Sequence, residues 1–317
     1  MDTIFSSQSP LNGIDVSFAH YVQRRRDSQT LHLDGGIPDY AFSLDYELRK
    51  KLDEIPHFRN LCAKIGATLT TREIQRYNQI ATAVGPKQYP EIYRMGMECA
   101  ERLGIGAPNI FIVSDMEMNA FTYAMDDVSP MIVLHSGIID RMTPGELKCV
   151  IAHECGHIHN RHMLYKNVIS QLLNGASGNL GMIVSVANLA LMQLWTRACE
   201  ITADRASMIC SNDLRDAVSV QSKLLSGGII NPEFQDEANI DALREQMELT
   251  MGNPTRLYEA LYNHPSSVRR IFCIKEFEEC EIFYRWRNDL RTPGVKERSK
   301  ADTDARCQKL VNIWNNR

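Results

Sequence analysis

The 317-residue sequence predicts a mainly helical α+β domain with a small three-stranded sheet. Three observations carry that expectation. Long segments bounded by Ser, Thr, Pro and Gly punctuation read as helices. Three short runs near the middle, 109–113, 119–123 and 130–134, are β-branched and aromatic, as strands are. A capping-box signature at Thr143-Pro144-Gly145-Glu146 then opens a further long helix.

In chain order, 1–42 reads as an N-terminal extension without clear periodicity. Ser43 is expected to cap a helix over 44–52, which Pro56 ends. Helices are expected over 57–65, 70–84 and 89–103, punctuated by Pro86 and Gly104. The three strands follow, with Asp126-Asp127 as the turn between the last two. The helix opened by Thr143 should run at least to His162 and as far as Leu173, before a Gly-rich break over 174–181. No charge falls between Lys166 and Arg197, but Ser185, Asn188 and Gln193 interrupt that stretch. A spanning helix needs about 20 mostly apolar residues, so a buried or interface helix is expected there. Residues 212–288 read as helices, and 291–317 as a polar C-terminal tail.

The composition is that of an ordinary soluble chain: 44% apolar, 23% charged, net charge −4. It has no basic excess, so no nucleic-acid partner is expected. The nine cysteines are odd in number and contain no C-x-x-C pair, which argues for a reducing compartment. The first residues show no positive stretch followed by an apolar run. Both observations point to a cytoplasmic location.

The chemistry concentrates in His153-Glu154-Cys155-Gly156-His157. Four residues advance a helix by about one turn, so both imidazoles share one face. Glu154 lies roughly 100° around from His153, near a metal-bound water yet outside the ligand set. Two imidazoles with an adjacent carboxylate suit zinc hydrolysis; the bland alternative is a structural helix carrying incidental histidines. A catalytic zinc needs a third protein ligand. Glu200 and Asp204, four apart on the next helical segment, supply a candidate ligand and a candidate partner for a ligand histidine, although such pairs are commonly solvated surface charges. Helical spacing places His159 and His162 on the outer face and Cys155 on the far side. His135 ends a strand and has no clear assignment.

The stretches Asn119-Ala120-Phe121, 150–158 around the two histidines, 195–205 around Glu200, and His264-Pro265 with Arg270 together resemble metallopeptidase family 48. Those zinc gluzincins include HtpX-like proteases and CAAX prenyl endopeptidases. The resemblance covers about 89–271 and implies a zincin-type fold with long active-site helices. It implies His153, His157 and Glu200 as ligands of one Zn2+ per chain and Glu154 as general base. Asp204 would support a ligand histidine. Asn119 would lie on an edge strand that pairs with extended peptide or protein substrate. His264 would stabilise the oxyanion, with Arg270 holding substrate or site. The expected organisation is an extension (1–42), a catalytic domain (43–290) and a tail (291–317). The strongly hydrophobic spans of membrane members are degraded to the uncharged stretch within 168–195, expected to be buried, to self-associate or to rest on a membrane surface. The expected function is a zinc-dependent endopeptidase; the competing reading is an inactive or latent zinc-stabilised scaffold.

Overall fold

The computed structural model describes residues 33–34, 37–125, 128–173, 186–229, 239–250 and 266–311. A short hairpin of β1 (Leu33–Asp34) and β2 (Ile37–Pro38) leads into α1 (Ser43–Asp53) and the long α2 (Phe58–Ile80). After β3 (Thr82–Ala83) come α3 (Pro90–Leu103), β4 (Asn109–Val113), β5 (Ala120–Met125), β6 (Val128–His135) and the short α4 (Ser136–Arg141). The helices described after it are α5 (Pro144–His159), α6 (Met163–Leu173), α7 (Val186–Cys210), α8 (Leu214–Ser226), α9 (Ile240–Thr250), α10 (Ser267–Glu278), α11 (Glu281–Trp286) and α12 (Lys300–Val311).

The mainly α architecture agrees with the sequence reading, and the sheet is larger than expected. Among the described residues it has four strands in the order β3-β4-β6-β5. The three anticipated strands are present, with β4 parallel and β5 antiparallel to β6. The addition is Thr82–Ala83, expected to end a helix; it pairs antiparallel with Ile112 and Phe111 instead. The β-branched Thr82 fits the pleated surface better than a last helical turn. The order leaves β5 on an edge.

The two helices expected over 57–65 and 70–84 are one, because Gly66 continues the helix and packs against the Met125 side chain. Ser43 is not the cap of α1: Phe42 takes that position, and the Ser43 hydroxyl donates to Asp304 at 2.5 Å. The box at Thr143 forms as anticipated. The Glu146 backbone N–H donates to Thr143 Oγ1, and the Thr143 N–H donates to Glu146 Oε2 at 2.7 Å. Lys223 of α8 closes on the same carboxylate at 2.7 Å.

Residues 291–317, expected as a polar tail, contain α12. Cys307 and Val311 of α12 are buried in a core with Phe42, Leu48, Trp195 and Cys273. The physical reason is Arg205, fully buried on α7. It pairs with Asp304 at 2.6 Å, donates to the Tyr40 carbonyl at 3.1 Å and lies over the Phe42 and Phe277 rings. A buried guanidinium needs such partners, and they come from both ends of the described chain. Met192 and Trp195, in the uncharged stretch, are fully buried. Among the described residues, no helix is long and apolar enough to cross a membrane. The Gly-rich break over 174–181 lies outside the described residues, as do 1–32, His264 and the end of the tail from 312.

Gly156 sets the spacing of α5 against α7. A Cβ there would sit 2.7 Å from the Ala206 Cβ and 3.0 Å from the Ala203 Cα. Neither atom can swing away. Overpacking costs about 1–3 kcal/mol, against at most about 1 kcal/mol of helix propensity regained. Gly156→Ala should therefore lower the thermal midpoint by about 2–4 °C, and Gly156→Val by more. A midpoint at or above that of the parent protein would contradict this contact.

Candidate metal centre

Helix α5 presents His153, Glu154 and His157, and α7 presents Glu200 and Asp204 across the Gly156 contact. The four-residue spacing brings the two imidazoles edge to face, with ring centroids 4.9 Å apart. His153 Nε2 lies 3.4 Å from Glu200 Oε2, and His157 Nε2 lies 3.5 Å from Glu200 Oε1. The three side chains converge on one point, with ligand atoms within 4.8 Å of one another.

The donor set fits a tetrahedral metal. Donors about 2.0–2.1 Å from a tetrahedral centre stand about 3.3–3.4 Å apart, and each imidazole Nε2 lies near that distance from one of the two Glu200 carboxylate oxygens. A positive charge already sits against these donors. The Lys166 ammonium of α6 is 2.7 Å from Glu200 Oε1 and 3.4 Å from His157 Nε2.

The electrostatics separate the two histidines. Burial and the nearby Lys166 ammonium hold His157 well below the usual imidazole range. Burial acts in the same direction on His153, but its bonds to Asp204 and Glu200 outweigh it and push His153 up to about 9. Asp204 accepts two bonds from Arg270, at 2.8 and 2.6 Å, and lies 3.1 Å from His153 Nδ1. Burial alone would raise the Asp204 carboxyl, yet the Arg270 guanidinium and His153 bring it below the ordinary carboxylate value. Arg270 also reaches Glu200 Oε2 at 3.7 Å.

Glu154 is buried, and its Oε2 accepts the Thr122 hydroxyl of β5 at 2.6 Å. It faces a cavity of about 440 Å³ lined also by Asn119, Phe121, Asp204 and Arg270. Asn119 abuts the N-terminal end of the edge strand, where its carbonyl accepts the His135 N–H at 3.1 Å. The structure thus brings His153, Glu154, His157, Glu200, Asp204, Arg270 and Asn119 around one cavity. His264 lies outside the described residues. Cys155 is buried on the opposite side in the core, and burial pushes its thiol up.

His162 is a correction. An unbroken helix would turn it outward, but α5 stops at His159 and Arg161 takes a left-handed conformation, φ 56°. The chain doubles back, and His162 is 0% exposed. Its Nδ1 lies 2.7 Å from His157 Nδ1, and its Nε2 lies 2.9 Å from Asp45 Oδ2. A carboxylate only accepts, so the Asp45 bond puts the His162 proton on Nε2 and leaves Nδ1 as acceptor. His157 then donates from Nδ1, and its Nε2 lone pair faces Glu200. Asp45 also accepts the Thr202 hydroxyl at 2.8 Å. Asp45 stands 117 residues away in sequence and carries no motif, so no local signal marks it. His159, also expected outside, is partly covered by Tyr40, whose hydroxyl is 3.0 Å from its Nδ1.

A sequence model described as peptidase family M48 matches residues 86–278. A plastoglobule-localized chloroplastic metallopeptidase 48 of Arabidopsis thaliana is 33% identical over 220 residues, covering 68% of this chain and 63% of that protein. An HtpX protease homologue of Moorella thermoacetica is 25% identical over 227 residues, covering 63% of this chain and 76% of the homologue. One from Trichormus variabilis is 28% identical over 191 residues, covering 60% and 62%. The chain therefore spans a little under two thirds of the Arabidopsis protein.

Substitution at His162 tests its tie to His157. His162→Gln keeps a donor towards Asp45 but removes the acceptor for His157, and should weaken retention of a divalent ion about 10–100-fold. His162→Asn, with an acceptor near the Nδ1 position, should lose less. Dialysis against a graded chelator reads the difference; equal retention in the parent and both variants would show that His162 does not orient His157.

Proposed function

Because the chain belongs to peptidase family M48, we propose that it is a zinc-dependent endopeptidase hydrolysing internal peptide bonds, with Glu154 as general base. The observation that carries this reading is the set of donor separations, 3.4 and 3.5 Å, among His153, His157 and Glu200, with Glu154 beside them in the cavity. One zinc ion, held by those three side chains with a fourth position left to water, would supply Lewis acidity and a water with its pKa lowered to about 7.

The chain's own residues do the rest. Glu154, oriented by the Thr122 hydroxyl, takes the proton of the attacking water and delivers it to the leaving amine. Asp204 and His162 hold the two imidazoles by their Nδ1 atoms, each in turn fixed by a partner, Arg270 and Asp45. Arg270 lines the cavity and keeps Asp204 ionised. Asn119 and the outer edge of β5, the last strand in the order among the described residues, supply backbone groups to an extended peptide. His264, by its resemblance to the family motif, stabilises the oxyanion.

The substrate class is peptide or protein, with no nucleic acid. A cytoplasmic location is supported by nine cysteines that are all free and buried. The stretch 168–195 is proposed to contact a membrane surface or a second copy of the chain.

Glu154→Gln removes the base while leaving the three donors. It should keep zinc and lose cleavage of a peptide library by about 10²–10⁴-fold. Chelation of the parent protein should abolish cleavage, and added Zn2+ should restore it. Parental turnover by the Glu154→Gln variant would sink the mechanism. Absence of cleavage by the zinc-loaded parent protein would favour a latent or scaffold role.

A further inference from the structure

We propose that Asp115, Glu117 and His135 form a second divalent-cation site, at the rim of the cavity and separate from the His153, His157 and Glu200 group. The three residues each offer a ligand atom within 4.8 Å of the other two. Exposed carboxylates alone would carry nothing, since such pairs are usually solvated. The selective feature is His135.

His135 closes β6, and its side chain is only 9% exposed. One face of its surroundings is apolar: the Phe121 ring meets it edge-on at 5.5 Å. Its Nδ1 is buried and makes no hydrogen bond. A buried polar atom of this kind has given up its water without gaining a partner, which is unfavourable. It faces Asp115 Oδ1 at 3.6 Å, too far for a hydrogen bond and close enough for both atoms to ligate one ion.

The backbone holds the carboxylates in place. The Asp115 carbonyl accepts the Gly137 N–H at 2.8 Å and the Ser136 hydroxyl at 3.0 Å. The Glu117 N–H donates to Asp115 Oδ1 at 2.9 Å. Gly137 allows this approach: a Cβ there would meet the Met116 carbonyl oxygen at 2.2 Å. The loop is thus moulded onto the strand end that carries His135. Asp115 is 48% exposed, which leaves a path for an ion and positions for water.

An imidazole with two carboxylates suits a divalent transition ion, zinc or manganese, and disfavours calcium, which takes oxygen ligands. Bound there, the ion ties the loop to the end of β6. The same loop continues into Met118 and Asn119, which line the cavity. Occupancy would therefore brace the rim at which β5 begins. The site stands on its own geometry and does not depend on the peptidase reading.

The test is ion counting by equilibrium dialysis of the full chain against Zn2+, in the parent and in an Asp115→Asn, Glu117→Gln double variant. Both substitutions conserve shape, and circular dichroism checks that the fold is kept. The expected result is two ions in the parent and one in the variant. One ion falling to none would support this site while overturning the His153, His157 and Glu200 assignment. Equal counts in the two proteins would overturn the proposal. Hydrogen exchange gives a second readout: amides over 114–119 should slow on addition of Zn2+ in the parent only. Calcium displacing zinc at equal concentration would overturn the assignment to a transition ion.

Discussion

The close approach of α5 and α7 at Gly156 is the constraint on which the centre depends. Two helices with ordinary side chains at the contact would stand farther apart. Here a missing Cβ lets the α5 backbone settle against Ala203 and Ala206. One helix carries both imidazoles and the other carries Glu200, so the helix separation sets the donor separation. For the zinc ion proposed to be held there, whose bonds are near 2 Å, a shift of even half an ångström would be felt. Small residues at 156, 203 and 206 thus act on chemistry they never touch.

The second requirement is electrostatic. Asp45, Glu200 and Asp204 are all buried, and taking a carboxylate out of water costs several kcal/mol unless its lone pairs are met. Each has such partners: Arg270 and His153 for Asp204, Lys166 for Glu200, His162 and Thr202 for Asp45. Burial alone would raise Asp45 and Asp204, and in both the paired charges and hydrogen bonds win. The same bonds orient the imidazoles from behind. Stabilising the charges and aiming the donors are therefore one arrangement.

The ends of the described chain contribute to that arrangement. Tyr40, Phe42 and Asp45 precede the family match over 86–278, and Asp304 follows it. Asn160, at the end of α5, donates to the Tyr40 hydroxyl, and the Phe42 N–H donates to Thr202 Oγ1. Arg205 draws the N-terminal segment and α12 onto the same face of α7 through Tyr40 and Asp304. The segments that read as an extension and a tail thus pack against α7, the helix that carries Glu200 and Asp204.

By itself the sequence determined what local periodicity and spacing can encode. The Thr143 box, the shared face of His153 and His157 and the position of Glu154 follow from contacts within a few residues, and the three anticipated strands from their β-branched and aromatic composition. The spacing of Glu200 and Asp204 offered only a weak signal, and it was the resemblance of 195–205 to the family motif that pointed to Glu200, which the fold places beside both histidines. The tertiary structure decided the rest. Whether α5 continued past His159 depended on the bond from His162 to Asp45, across 117 residues. Whether 82–83 became strand depended on an open edge of β4, and whether 300–311 packed depended on a buried arginine needing a carboxylate. Long-range pairing of buried charges leaves no periodic trace in the chain, so only the folded arrangement reveals it.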